Sequence, residues 1–156
     1  MARFVTKAVA LGHDGPLAEV ADGFARIEPQ SDWLQNPNYT REAMGPDFVD
    51  RYGYVELVGP GRPAASRDLL VGLLLLGPGT HYPDHAHPAE EAYHVVAGRA
   101  EWWREGEGWR LRPAGALIHH PPMVRHAMRT SDEPLLALYC WAGKVEVAAQ
   151  ITRGAE

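Results

Sequence analysis

From Gly53 onward the chain falls into nine short apolar or alternating runs, and glycine or proline closes nearly every one. The runs cover residues 54–58, 69–76, 92–97, 99–104, 109–112, 116–119, 125–129, 135–142 and 145–152. Segments this short are strands rather than helices, which need about ten residues or more. Residues 69–76 are apolar throughout, as a strand buried on both faces must be. The Glu105-Gly106-Glu107-Gly108 turn joins two neighbouring runs as a hairpin. Many short strands with regular punctuation predict an all-β domain, a small antiparallel β-barrel or jelly roll.

The first 53 residues have a different character. Leu17, Val20, Phe24 and Ile27 recur every three or four positions, which predicts a helix over residues 16–27. A loop rich in Ser31, Asp32, Asn36, Pro37 and Asn38 follows. A second short helix is expected from Thr40, interrupted at Gly45-Pro46 and resumed by Phe48 and Val49. Residues 1–53 therefore read as a helical and loop segment packed on a barrel of residues 54–152, one domain overall. A chain of 156 residues can bury roughly 70% of its unfolded surface, enough for a core.

Charge narrows the partners. The net charge of −5 and the lack of a basic stripe argue against nucleic acid and anionic membranes. The single cysteine, Cys140, forms no internal disulfide. No signal-peptide core or membrane span is visible, so a cytoplasmic location is expected. What stands out is histidine: seven of eight (His81, His85, His87, His94, His119, His120 and His126) lie between positions 81 and 126.

Within that cluster, His85 and His87 are two apart and leave the same face of an extended strand. Glu91 begins the next run, and Tyr93 points to the same side as Glu91. Two imidazoles, a carboxylate and a phenol can converge on one point, a set that suits a first-row divalent metal. The plainer reading has these histidines as polar barrel residues paired with one another. Seven clustered histidines weigh against it, because buried polar groups need partners.

The spacing Gly79-x5-His85-Ala86-His87-x3-Glu91-x6-Gly98 resembles the first signature of the cupin superfamily at every defined position. Gly115-x5-Pro121, followed by His126, resembles the second, with Met123 where a glycine is usual and Thr130 where an asparagine is usual. A narrower resemblance covers residues 82–95 and 134–143, with residues 54–60 upstream. These segments look like the cupin-type dimethylsulfoniopropionate lyases. The resemblance implies a single-domain cupin with short N-terminal helices and one divalent transition metal, Fe, Mn, Ni, Co or Zn. The implied ligands are His85, His87, Glu91 and His126. It also implies a small-molecule substrate and is compatible with a homodimer paired through sheet edges.

The chemistry of such a lyase suits these residues. A base removes the proton beside the substrate carboxylate, and acrylate and neutral dimethyl sulfide result. Tyr93 is the candidate base, since an adjacent divalent cation favours its phenolate. Tyr82 is the second catalytic candidate, orienting substrate or assisting proton transfer. Tyr139 and Trp141 share a strand face and are candidates for contact with the sulfonium. Of Trp102 and Trp103, and of His119 and His120, at most one each can face inward. Two further readings use the same residues: another metal-dependent cupin reaction, such as Fe(II)-dependent oxygenation or isomerisation of a small acid, and a non-catalytic cupin that binds a small ligand.

Overall fold

Two facing sheets carry the molecule, and alternation along each strand decides what lies between them. The computed structural model describes residues 2–152. Its strands are β1 (Tyr52–Gly59), β2 (Ala64–Ala65), β3 (Leu69–Leu76), β4 (His81–Ala86), β5 (Glu90–Ala97), β6 (Arg99–Arg104), β7 (Gly108–Pro113), β8 (Leu117–His120), β9 (His126–Thr130), β10 (Leu135–Ala142) and β11 (Gln150–Ile151). One sheet runs β2-β1-β3-β10-β5-β8 and the other β11-β4-β9-β6-β7. Every pairing is antiparallel except β1 with the short β2. This is an antiparallel jelly roll of two facing sheets.

The six-stranded sheet is covered on both sides. Leu74 and Leu76 of β3 face the other sheet, together with Val95 and Ala137, and share a core with Met128 of β9. Leu73 and Leu75 face outward and are buried under helices α1 (Ala2–His13) and α2 (Ala18–Ile27). That double burial is why residues 69–76 are apolar without alternation, each buried leucine contributing about 1.5–3 kcal/mol. The five-stranded sheet has an open outer face, where Glu101 accepts from Arg129 Nε at 2.6 Å.

Helix α1 goes beyond the sequence reading, which leaves residues 2–13 without structure. Phe4, Val5, Ala8 and Val9 recur at helical spacing, and Val5 and Ala8 bury against the sheet. Gly12 lies against Ala21 of α2, where an added Cβ would come within 2.7 Å of the alanine Cβ. The expected helix from Thr40 is two short turns, α3 (Arg41–Met44), with Thr40 Oγ1 accepting from Ala43 N, and α4 (Pro46–Val49). No helix among the described residues is long and apolar enough to cross a membrane.

Two strand expectations need correction. Residues 145–152 form only the short β11; their buried members, Val145 and Ala149, are four apart rather than two, a loop's spacing. Asn36 Nδ2 holds that loop by donating to Ala149 O at 2.9 Å. Strand β4 is absent from the nine runs, although the spacing of His85 and His87 already implies an extended strand there; it ends at Ala86, one residue short of His87. Asp84 is the buried centre of a clasp: it accepts from Arg125 Nε at 2.9 Å and from Thr152 Oγ1 at 2.6 Å. The clasp ties β4 to the turn before β9 and to the residue after β11.

Both departures from the cupin pattern have a structural reading. Met123 has φ +63°, the left-handed conformation that a glycine adopts without strain, and its N–H donates to His87 O at 2.9 Å. Thr130 ends β9 by donating to Gly77 O at 2.7 Å and accepting from Thr80 N at 2.9 Å. Relief of left-handed strain exceeds the added chain entropy of glycine, so Met123→Gly is expected to gain roughly 0.5 kcal/mol. A β-branched residue is worse there, and Met123→Val should lose about 1 kcal/mol. Urea denaturation of the three proteins checks both signs.

Candidate active site

The candidate ligands come from three places in the fold. His85 lies on β4 directly opposite His126 on β9. His87 follows the end of β4, and Glu91 is the second residue of β5. In the facing sheet Glu91 lies between Trp141 of β10 and His120 of β8. Strand pairing thus brings together residues up to 50 positions apart.

Glu91 is the hub, only 1% exposed. Its Oε1 accepts from Trp141 Nε1 at 2.6 Å. Its Oε2 lies 3.0 Å from His87 Nε2 and 3.2 Å from His126 Nε2. Burial alone would push this carboxyl up; a proton or cation held at the facing His126 and His87 nitrogens outweighs it and holds Glu91 well below the usual carboxylate range. The indole of Trp141 also stacks on His87, centroids 4.0 Å apart.

The histidine tautomers follow from their other nitrogens. Nδ1 of His85 lies 2.8 Å from Pro83 O, that of His87 3.0 Å from Ala89 O, and that of His126 3.0 Å from Val124 O. A carbonyl only accepts, so each Nδ1 carries the proton and each neutral ring keeps its Nε2 lone pair. At His87 and His126 that lone pair faces the carboxylate, and His126 Nε2 makes no aligned hydrogen bond. Lone pairs this close require protons or a cation between them. Burial pushes the adjacent His85 down, and His120 down to about 3, so added imidazolium charge is disfavoured here. One divalent ion would satisfy all three groups, and their donor atoms lie within 4.8 Å of one another. The residues therefore fit a metal.

His85, the fourth expected ligand, is buried beside that trio, its ring 4.1 Å from His126 and 6.5 Å from His87. Tyr82 stacks on His85 at 4.0 Å, nearly parallel, and its hydroxyl donates to Tyr39 Oη at 3.2 Å. Tyr93 is buried between Trp102, at 4.9 Å, and Tyr139, at 6.3 Å. Burial and then Glu91 push its phenol well above 10. Trp102 faces inward and Trp103 lies half-buried under the Arg125 guanidinium. His120 faces inward and stacks on His126 at 4.0 Å, whereas His119 is exposed and pairs with Glu90.

A cavity of about 140 Å³ opens on this cluster. Tyr82, Glu91, Tyr93, Tyr139 and Trp141 line it, as do Asn36, Tyr52, Tyr54 and Glu56, which sequence reasoning assigned no chemistry. The alternation Tyr52, Tyr54, Glu56 on one strand face was the available signal. Space of this size takes about one six-membered ring's worth of atoms.

The family model for dimethylsulfoniopropionate lyase matches residues 1–137. The chain is 37% identical over 135 residues to dimethylsulfoniopropionate lyase DddQ of Ruegeria pomeroyi, covering 86% of this chain and 66% of that one. The crystal structure of DddQ from Ruegeria pomeroyi has a TM-score of 0.81 at 34% identity, over 96% of this chain and 79% of that one. An RmlC-like cupin from Shewanella frigidimarina shares the fold, with TM-score 0.57 and 15% identity over 76% and 88% of the two chains. The chain spans 66% and 58% of the lengths of two curated relatives it matches.

Two outcomes are expected of this site. Trp141→Phe keeps a ring over His87 but removes the donor to Glu91, and should weaken divalent-ion binding about tenfold or more in chelator competition. In metal-free protein, His85 and His120 have folded pKa values below the unfolded value of about 6.5, so the unfolded state binds more protons. Stability is complete above that value and falls with pH below it, by about 1.4 kcal/mol per unit for each histidine. Urea denaturation at pH 7.5, 6.5 and 5.5 measures the slope.

Proposed function

The chain belongs to the dimethylsulfoniopropionate lyase family, and on that premise we propose that it cleaves dimethylsulfoniopropionate to acrylate and dimethyl sulfide by β-elimination. The observation that carries this reading is the small aromatic cavity that ends on Glu91 and Tyr93 beside the histidine cluster. The substrate has few non-hydrogen atoms and two charged ends, and a cavity of about 140 Å³ suits it.

His85, His87, Glu91 and His126 would hold one divalent transition metal, Fe, Mn, Ni, Co or Zn. Bound there, it supplies Lewis-acid stabilisation of the substrate carboxylate as enolate charge develops, and it favours the phenolate of the nearby tyrosine. Tyr93 takes the proton from the carbon next to the carboxylate. The electron pair of that C–H bond forms the double bond of acrylate, and the C–S pair leaves on sulfur as neutral dimethyl sulfide. No proton need be given to the leaving group, so one base is enough.

The remaining residues orient the substrate. Tyr82, fixed between His85 and Tyr39, presents its ring beside the ligands and limits how the substrate can turn. Trp141 and Tyr139 present aromatic surface to the sulfonium, worth roughly 0.5–2 kcal/mol for a well-placed ring. Burial of Tyr82, Tyr93, Glu91 and the histidines excludes bulk water from the reacting atoms, which strengthens each electrostatic contact.

Purified protein given dimethylsulfoniopropionate should release dimethyl sulfide into the headspace with equimolar acrylate. Tyr93→Phe should lower kcat about a hundredfold or more with bound metal, by elemental analysis, unchanged. Stripping the metal with a chelator should abolish release, and readdition should restore it. Release that survives both Tyr93→Phe and chelation would overturn this mechanism.

A further inference from the structure

The lining of the cavity has a charge pattern that proton removal does not require. It contains three carboxylates, Glu56, Glu91 and Glu146, and no lysine or arginine. Such a wall repels a simple organic acid and draws in a cation. Glu91 is committed to Trp141, His87 and His126, and Glu146 is exposed. That leaves Glu56.

Glu56 sits on β1 with its side chain 10% exposed, and its Oε2 makes a close ion contact with Arg62 Nε at 2.5 Å. Arg62 is not among the lining residues, so the pair turns its negative end toward the cavity. Across the sheet, Glu56, Gly72, Tyr139 and Tyr93 stand in one row of β1, β3, β10 and β5. The missing side chain at Gly72 is needed: a Cβ there would lie 2.1 Å from Val55 O and 2.8 Å from Tyr139 Oη. Glycine therefore lets the Tyr139 phenol lie over β3 toward Glu56. Tyr54 meets the Tyr139 ring edge-on at 6.2 Å and 86°. Burial first, then Glu56, push Tyr54 up to about 12 and Tyr139 well above 10, so both rings are neutral and keep their electron-rich faces.

We propose that Glu56, with Tyr54 and Tyr139, seats the cationic end of the substrate and makes this site select onium carboxylates over carboxylates of the same shape that lack the cation. The assignment rests on the lyase reading, which directs the substrate's carboxylate toward Glu91 and the histidines. It makes Glu56 a specificity determinant that takes no part in proton transfer.

The test uses protein with its co-purified metal and two probes that do not eliminate dimethyl sulfide: 3-(trimethylammonio)propionate and its carbon isostere, 4,4-dimethylpentanoate. By calorimetry, the wild type should bind the onium compound about tenfold or more tighter than the isostere. Glu56→Gln keeps the shape and a hydrogen-bond acceptor for Arg62. It should lower that ratio about fivefold or more, leave isostere affinity unchanged, and raise KM for dimethylsulfoniopropionate with kcat nearly kept. Arg62→Gln breaks the same ion pair but leaves the carboxylate, and should preserve or raise the ratio. An unchanged ratio in Glu56→Gln, or equal loss for both probes in both variants, would overturn the proposal. The two readings fail separately. A wild type that discriminates but releases no dimethyl sulfide sinks the lyase reading alone. One that releases it, with KM unmoved in Glu56→Gln, sinks the onium seat alone.

Discussion

A carboxylate removed from water must be matched on every oxygen, and at Glu91 that requirement organises the protein. Oε1 takes the Trp141 indole, and Oε2 faces His87 and His126. Supplying those partners demands that β5, β10, β9 and the segment after β4 converge, which two facing sheets accomplish and an open sheet would not. An unmatched charge in this setting would cost several kcal/mol. The ring orientations follow from the same need, since each imidazole is fixed by a backbone carbonyl two residues away. The Asp84 clasp keeps β4 in register with β9, so the ligands are held by strands that are themselves tied together.

Much of this was legible in the sequence because it rests on local periodicity. Residues 69–76, 99–104 and 135–142 match β3, β6 and β10 residue for residue, each bounded by glycine, proline or charge. What escaped was decided by tertiary contact. Helix α1 has no capping residue to announce its start and is fixed by burial against the sheet. The loop at 145–149 alternates like a strand but finds no partner strand and is held instead by Asn36. At the site, motif spacing drew attention to His85, His87, Glu91, Tyr93 and His126, and strand pairing brings their side chains close together. The trio of His87, Glu91 and His126 is tighter than a four-residue set implies, with His85 alongside. Glu56 and Tyr54 could be placed on one face of a strand, but nothing local said which face lined a cavity.

The two departures from the cupin pattern differ in kind. Thr130 replaces one hydrogen-bonding side chain by another that joins the ends of β9 and the β3–β4 connection. Met123 puts a side chain on a backbone better suited to glycine, next to His87, whose carbonyl it holds. The strain is tolerated because the turn is fixed by its neighbours, and because the Met123 side chain is largely in solvent.

Gly72 carries no functional group, yet it sets how far a neighbouring phenol can lean. Even one methyl group there would strike the Val55 carbonyl of β1 and press on the Tyr139 phenol, so β1 would have to shift from β3 and the ring would have to move. The shape of the cavity is therefore partly encoded at a position that a survey of chemically active side chains would pass over. A homologue with alanine at that point would need both a shifted β1 and a smaller ring opposite to keep the same cavity.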